Sequence, residues 1–109
     1  MLPAADRAYI DPAKIRDYLL SPVHPVGRFK AVVFYALGYT TDDWERLRDD
    51  LLLLARTSEA IPGQASTFGQ KYEVSGRLRG PNGREARFTC VWLAPASDGA
   101  PRFITAFPG

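Results

Sequence analysis

The chain has 109 residues, of which 46% are hydrophobic and 24% charged, enough apolar side chain for one core and too little length for two, so a single domain over residues 1–109 is expected. Cys90 is the one cysteine and His24 the one histidine, which excludes an internal disulfide and a cysteine-rich zinc site; no acidic cluster has a ligand pattern, so the expectation is a domain with no metal and no cofactor. The formal charge of +2 is unevenly spread: residues 1–60 hold eight Lys/Arg against nine Asp/Glu and residues 61–109 hold six against three, making the second half the candidate anion-binding half, although an Arg-rich outer face of an ordinary sheet gives the same imbalance.

The opening MLPAADRAYIDPAK carries acidic residues before any apolar block, unlike a signal peptide, and no run approaches the roughly 20 apolar residues of a membrane span. A cytoplasmic protein without a membrane partner is expected. Asp11-Pro12 predicts a helix start, the carboxylate accepting an open amide and the proline losing no needed donor, and Ile15, Tyr18 and Leu19 give a buried stripe running to about Leu20. Pro22 and Pro25 interrupt the chain on either side of His24.

From Gly27 or Arg28 to Leu37 the pattern predicts a second helix with Phe29, Val32, Val33, Ala36 and Leu37 as a broad apolar face and Gly38 as a left-handed cap. His24, Arg28 and Lys30 gather basic groups at its entry, beside open amides. Thr41, Asp42 and Asp43 introduce a third helix whose inward face is Trp44, Leu47, Leu51, Leu54 and Ala55, with Arg46, Asp49, Asp50 and Arg56 in water. Residues 58–69, SEAIPGQASTFG, read as a connection rich in turn formers, long enough to cover a site.

Alternation then takes over. Tyr72, Val74, Gly76 and Leu78 oppose Lys71, Glu73, Ser75 and Arg77. GPNG at 80–83 turns the chain into a second strand that places Ala86, Phe88, Cys90 and Trp92 on one face and Arg87, Thr89, Val91 and Leu93 on the other, with Cys90 an ordinary buried residue. Pro95–Pro101 is the next reversal, and Arg102–Phe107 a final strand with Phe103, Thr105 and Phe107 sharing one face. The fold class is therefore α+β, three amino-terminal helices packed on an antiparallel sheet of three strands, or of four if Ala8–Ile10 adds an edge.

The ordered motifs YLLSPVHPVGRFKAVVFYALGYTTDDW, GQKYEV, GPNGR and PRFITAFP resemble a bacterial domain-of-unknown-function family, DUF6883, over about Asp11 to Pro108. Members of that family look like stand-alone proteins or terminal modules associated with bacterial toxin systems. The order of helices then sheet is also similar to metal-independent ribonuclease toxin folds, a likeness of scaffold that does not itself carry chemistry. If it holds, it implies RNA as partner, a catalytic group drawn from His24, Lys30, Lys71, Thr89, Arg102 and Thr105, and nucleic-acid contacts from Arg28, Arg77 and Arg87.

Cleavage needs a base for the ribose 2′-hydroxyl, an acid for the leaving oxygen and positive groups for the phosphate. Each candidate has a plainer alternative: a cap or turn for His24, a wet strand face for Lys71, a surface ion pair for Arg102, β-branched strand formers for Thr89 and Thr105. Tyr72, Trp92 and Phe107 are either base-stacking platforms or core. The rival function is a noncatalytic or immunity-like module that binds a bacterial protein. The catalytic reading requires His24 at the mouth of a basic cleft with Lys30 and at least one of Lys71 or Arg102. Oligomeric state is open at this level.

Overall fold

In a computed structural model that describes residues 2–96 and 99–109, helices come first and a four-stranded antiparallel sheet second. The reversal read at Pro95–Pro101 therefore falls partly outside the described residues. After a single turn at Ala5–Arg7, helix α1 (Pro12–Lys14) is capped as its sequence foretells, the Asp11 carboxylate accepting from the Ala13 amide at 3.0 Å. It continues as a π-helical segment, Ile15–Leu19, closed by Leu20 N–H to the Ile15 carbonyl at 2.9 Å. The widened turn leaves Ile15, Leu19 and Leu20 buried and Tyr18 half-buried at the edge.

Helix α2 (Gly27–Ala36) ends where expected, at Gly38 with φ 95°, a left-handed conformation that glycine adopts without steric cost. Its buried face corrects the sequence reading. Gly27, Ala31 and Phe34 face inward, while Phe29 and Val32, two residues of the expected inner stripe, are each 67% exposed and Ala36 is exposed as well. Small residues decide this: a Cβ at position 27 would collide with the Tyr18 carbonyl, so α2 lies against the π-helical segment too closely for anything but glycine. Phe34 then stacks on Phe88 at 4.8 Å.

Helix α3 (Trp44–Thr57) buries Leu47, Leu51, Leu54 and Ala55, with Trp44 half-buried. Its entry differs in detail from the expected cap: Asp43 makes no side-chain cap bond, and the Thr40 hydroxyl accepts from the Asp43 amide at 3.2 Å instead. Tyr39 anchors the preceding turn by donating to Asp50 at 2.6 Å; burial and the Asp50 carboxylate hold its hydroxyl well above the ordinary phenol range.

The sheet runs β1 (Ala60–Ser66), β2 (Gly69–Arg79), β3 (Glu85–Pro95), β4 (Arg102–Pro108), in that spatial order. Strand β1 lies in the segment read as a connection. Pro62 and Gly63 disguised it, yet both are tolerated because β1 is an edge strand whose pairing with β2 shifts register between Pro62 and Ala65. Ala8–Ile10 contributes one parallel bridge, Tyr9 with Arg102, rather than the fourth strand.

The hairpin β2–β3 pairs Val74 with Cys90, Gly76 with Phe88 and Leu78 with Ala86, so the even-numbered positions meet the helices. Burial pushes the Cys90 thiol up to about 12, consistent with a core residue rather than a nucleophile. At the hairpin tip, Asn82 donates to the Leu37 and Ala36 carbonyls at 3.2 and 2.9 Å, satisfying the end of α2.

Strand β4 departs from simple alternation. Trp92 pairs with Phe103 but Val91 pairs with Thr105, leaving Ile104 as a bulge. Phe103 and Ala106 are consequently both buried, and the face read as Phe103, Thr105 and Phe107 is split. Among the described residues no helix is long and apolar enough to cross a membrane.

Candidate functional site

A set of linked polar side chains forms where the π-helical segment, the entry of α2 and the bulged part of β4 meet. Ser21 Oγ accepts from the amides of Val23 and His24, setting the turn through the two prolines. His24 Nδ1 in turn accepts from the amides of Val26 and Gly27 at 3.0 and 2.9 Å, a cap at the first turn of α2. With two N–H groups aimed at Nδ1, the neutral ring carries its proton on Nε2 and presents a donor, not a base, on its other side. The ring stands edge-on to Tyr18, centroids 5.0 Å apart.

Tyr18 and Lys30 meet at one hydroxyl. Tyr18 Oη lies 2.8 Å from Thr105 Oγ1, and Lys30 Nζ donates to the same oxygen at 3.0 Å and to the Ala106 carbonyl at 2.9 Å. The Lys30 ammonium also stands 5.5 Å from the Tyr18 ring and 5.8 Å from that of Phe107, and Lys14 lies 5.5 Å from Tyr18 on another side. Burial works against ionisation of the Tyr18 hydroxyl, but hydrogen bonds to Thr105 and Lys30 and the positive charges of Lys30 and Lys14 outweigh it, holding the phenol below its ordinary value. Because Thr105 accepts from Lys30, it is free to donate its own proton to the Tyr18 oxygen, the arrangement that favours a phenolate.

Of the residues singled out in the sequence, three therefore come together: His24, Lys30 and Thr105, joined by Tyr18. Among the described residues no hydrogen bond or ion pair joins His24 to Lys71 or Arg102. Those two lie two rows along the sheet from Thr105, both paired with Leu93, and Arg102 is three residues from Thr105 on β4. Thr89 is buried, bonded to Ser75 Oγ at 2.7 Å and donating to the Gly109 carbonyl at 2.8 Å.

The three arginines assigned to nucleic-acid contact are exposed and spread out. Arg28 covers the Phe29 ring at 4.7 Å, Arg77 reaches Glu85 at 3.5 Å, and Arg87 lies opposite Arg77 in the hairpin. Tyr72 packs half-buried against the core and Trp92 lies within it, whereas Phe107 is exposed beside Lys30. Among the described residues no three His, Cys, Asp or Glu side chains converge as metal ligands.

Tyr18 is the member that sequence reasoning missed. Its helical spacing placed it in the stripe of α1, and nothing local marks a bond to a residue 87 positions away. Gly27 is the one trace of it in the sequence, the residue whose missing side chain admits the Tyr18 carbonyl.

Comparison with known proteins places this geometry in context. The family described as Domain of unknown function (DUF6883) matches residues 1–109. No curated protein matches the chain. Among solved structures, a chain of the "Contact-dependent growth inhibition toxin - immunity protein complex from Klebsiella pneumoniae 342" is similar with a TM-score of 0.75 and 18% identity, covering 92% of this chain and 98% of that one. At that identity the likeness is one of fold.

Proposed function

Since the chain belongs to the DUF6883 family and its fold is similar to that of a chain from a toxin–immunity complex, we propose that it is a metal-independent RNA-cleaving domain of a bacterial toxin system. Because no described contact joins His24 to Lys71 or Arg102, the reading does not rest on the His24-centred basic cleft expected from the sequence; what carries it is the Lys30–Thr105–Tyr18 chain, a tyrosine hydroxyl made more acidic beside an ammonium group at a half-buried edge. In the proposed reaction the Tyr18 oxygen takes the proton of a ribose 2′-hydroxyl. The 2′-oxygen attacks the adjacent phosphorus, the bond from phosphorus to the 5′-oxygen breaks, and that oxygen leaves with a proton from water. The products are a 2′,3′-cyclic phosphate and a 5′-hydroxyl.

Lys30 neutralises charge building on the phosphate, and His24 donates from Nε2 to a non-bridging oxygen. With Nδ1 of the one histidine already used as a cap and the one cysteine buried, charge stabilisation falls to Lys30 and the Nε2–H of His24. Purified protein incubated with mixed RNAs in excess chelator is expected to give cyclic-phosphate ends. Tyr18→Phe and Lys30→Met should each slow the cleavage about 10²- to 10⁴-fold while far-ultraviolet circular dichroism stays unchanged. Absence of cleavage across substrates, or equal rates in all three proteins, overturns the proposal.

A second reading, a noncatalytic or immunity-like module, is favoured by the apolar side chains that α2 and its approach hold in water, Val23, Val26, Phe29 and Val32. A native pull-down distinguishes it. A saturable protein partner that binds the Lys30→Met protein as tightly as the wild type, in a protein that cleaves no RNA, would replace the first reading by the second.

A further inference from the structure

We propose that the groove between the β1–β2 turn and the β3–β4 ladder is a nucleotide subsite for single-stranded RNA, with a base stacked on Phe68 and a phosphate held by Arg102. The assignment of RNA rests on the reading above; the subsite itself rests on separate observations. The groove is a shallow one open to solvent, with about 480 Å³ of space, and is lined by Phe68, Leu93, Arg102 and Ile104 among others. That is within the usual size of a small-ligand site.

Phe68 is 78% exposed, an unusual position for a phenylalanine, yet its backbone is held on both sides: its amide donates to Ser66 Oγ at 3.1 Å and its carbonyl accepts from the Ala96 amide at 3.1 Å. The backbone thus holds the residue in place while its apolar ring stands in water. Arg102 is similarly placed. Residues on either side of it are tied to Tyr9, which donates to the Pro101 carbonyl at 2.8 Å and accepts from the Phe103 amide at 2.9 Å, while the Arg102 side chain is exposed and makes no ion pair among the described residues. Lys71, the third member of the row with Leu93 and Arg102, lies two strands over, its backbone about 10 Å from that of Arg102.

The chemistry selects the occupant. A bare aromatic face with cations on one side suits a base and its phosphate, and the base must be unstacked, because a duplex offers no free base face to Phe68. The bulge at Ile104 joins the subsite to the cluster, since Ile104 lines the groove and its neighbour Thr105 binds Lys30 and Tyr18. Arg102 and Thr105 are three residues apart on β4, about 10 Å, so a strand with its scissile phosphate at Lys30 would reach the groove one or two nucleotides away.

The test is equilibrium binding of a fluorescein-labelled single-stranded RNA 12-mer and of a blunt RNA duplex to the Tyr18→Phe protein, alone and with Phe68→Ser or Arg102→Gln. Phe68→Ser is expected to weaken single-strand binding about tenfold with no change in salt dependence. Arg102→Gln should weaken it and make the slope of log K against log salt shallower by about 0.7, the loss of one phosphate contact. The duplex should bind less tightly and be indifferent to Phe68.

No binding of the single strand, equal affinities in all variants, or the same Phe68 dependence for duplex and single strand overturns the subsite. If binding depends on both residues but wild-type protein cleaves nothing, the subsite stands and the cleavage reading falls. If cleavage proceeds and binding ignores both residues, only the subsite falls.

Discussion

Helices α2 and α3 both carry many apolar side chains but use them in opposite ways. Helix α3 turns Leu47, Leu51, Leu54 and Ala55 inward and leaves Arg46 and Asp49 in water. Helix α2 buries only Gly27, Ala31 and Phe34 and leaves Phe29 and Val32 outside, in a stretch with no acidic residue between Tyr18 and Thr41. One helix serves the core. The other is placed by a close glycine contact that brings His24 and Lys30 beside Tyr18, and it leaves Val26, Phe29 and Val32 exposed.

The difference can be broken at several points, beginning with the buried side chains. Phe34→Ala should cost about 3–5 kcal/mol and Leu51→Ala about 2–5 kcal/mol in urea unfolding, because both leave cavities in a core where they are fully enclosed. A cost under 1 kcal/mol at Phe34 would mean that α2 does not bury the face described here.

A smaller effect is expected at the cap. His24→Ala should lose about 1 kcal/mol through the two amides that Nδ1 accepts from, and His24→Asn should recover most of it, since an amide oxygen can accept in its place. Comparing the two variants in RNA cleavage then sharpens the role of Nε2: Asn that restores stability but not rate assigns the donor to catalysis, whereas Asn that restores both leaves His24 as a cap alone.

The smallest change is expected on the outer face of α2. Phe29→Ser and Val32→Ser should each shift stability by no more than about 0.5 kcal/mol, as substitutions of exposed residues do. A loss above 2 kcal/mol at either would place that residue in a packed interface and erase the contrast with α3.

These contrasts also explain what could be read in advance. The face of α3 was legible because its charged residues alternate with leucines at helical spacing, and the hairpin faces because a two-residue period in β2 and β3 admits one inward set. Strand β1 was not, since Pro62 and Gly63 are ordinary turn formers and only pairing along one edge makes them strand residues. For the site, Lys30, Thr105 and His24 were recognisable by chemistry, but Lys71 and Arg102 were assigned to the same group as residues they do not touch among the described contacts. Phe68, at the end of the segment read as a loop, gave no sign of facing a groove.

What the sequence determined by itself is that helices precede an antiparallel sheet, the inner faces of α3 and the β2–β3 hairpin, the Asp11 cap and the Gly38 stop, because each depends on contacts within a few residues or on one polar–apolar contrast. Tertiary structure alone decided which apolar side of α2 is covered, where β4 bulges at Ile104 and which hydroxyl meets Lys30. A local period shows that a helix has an apolar side, but when two sides qualify, the one that closes against Tyr18 is chosen by the fit of Gly27 and Ala31 to a distant surface. The Tyr18–Thr105 bond, spanning 87 positions, exists only once that choice is made.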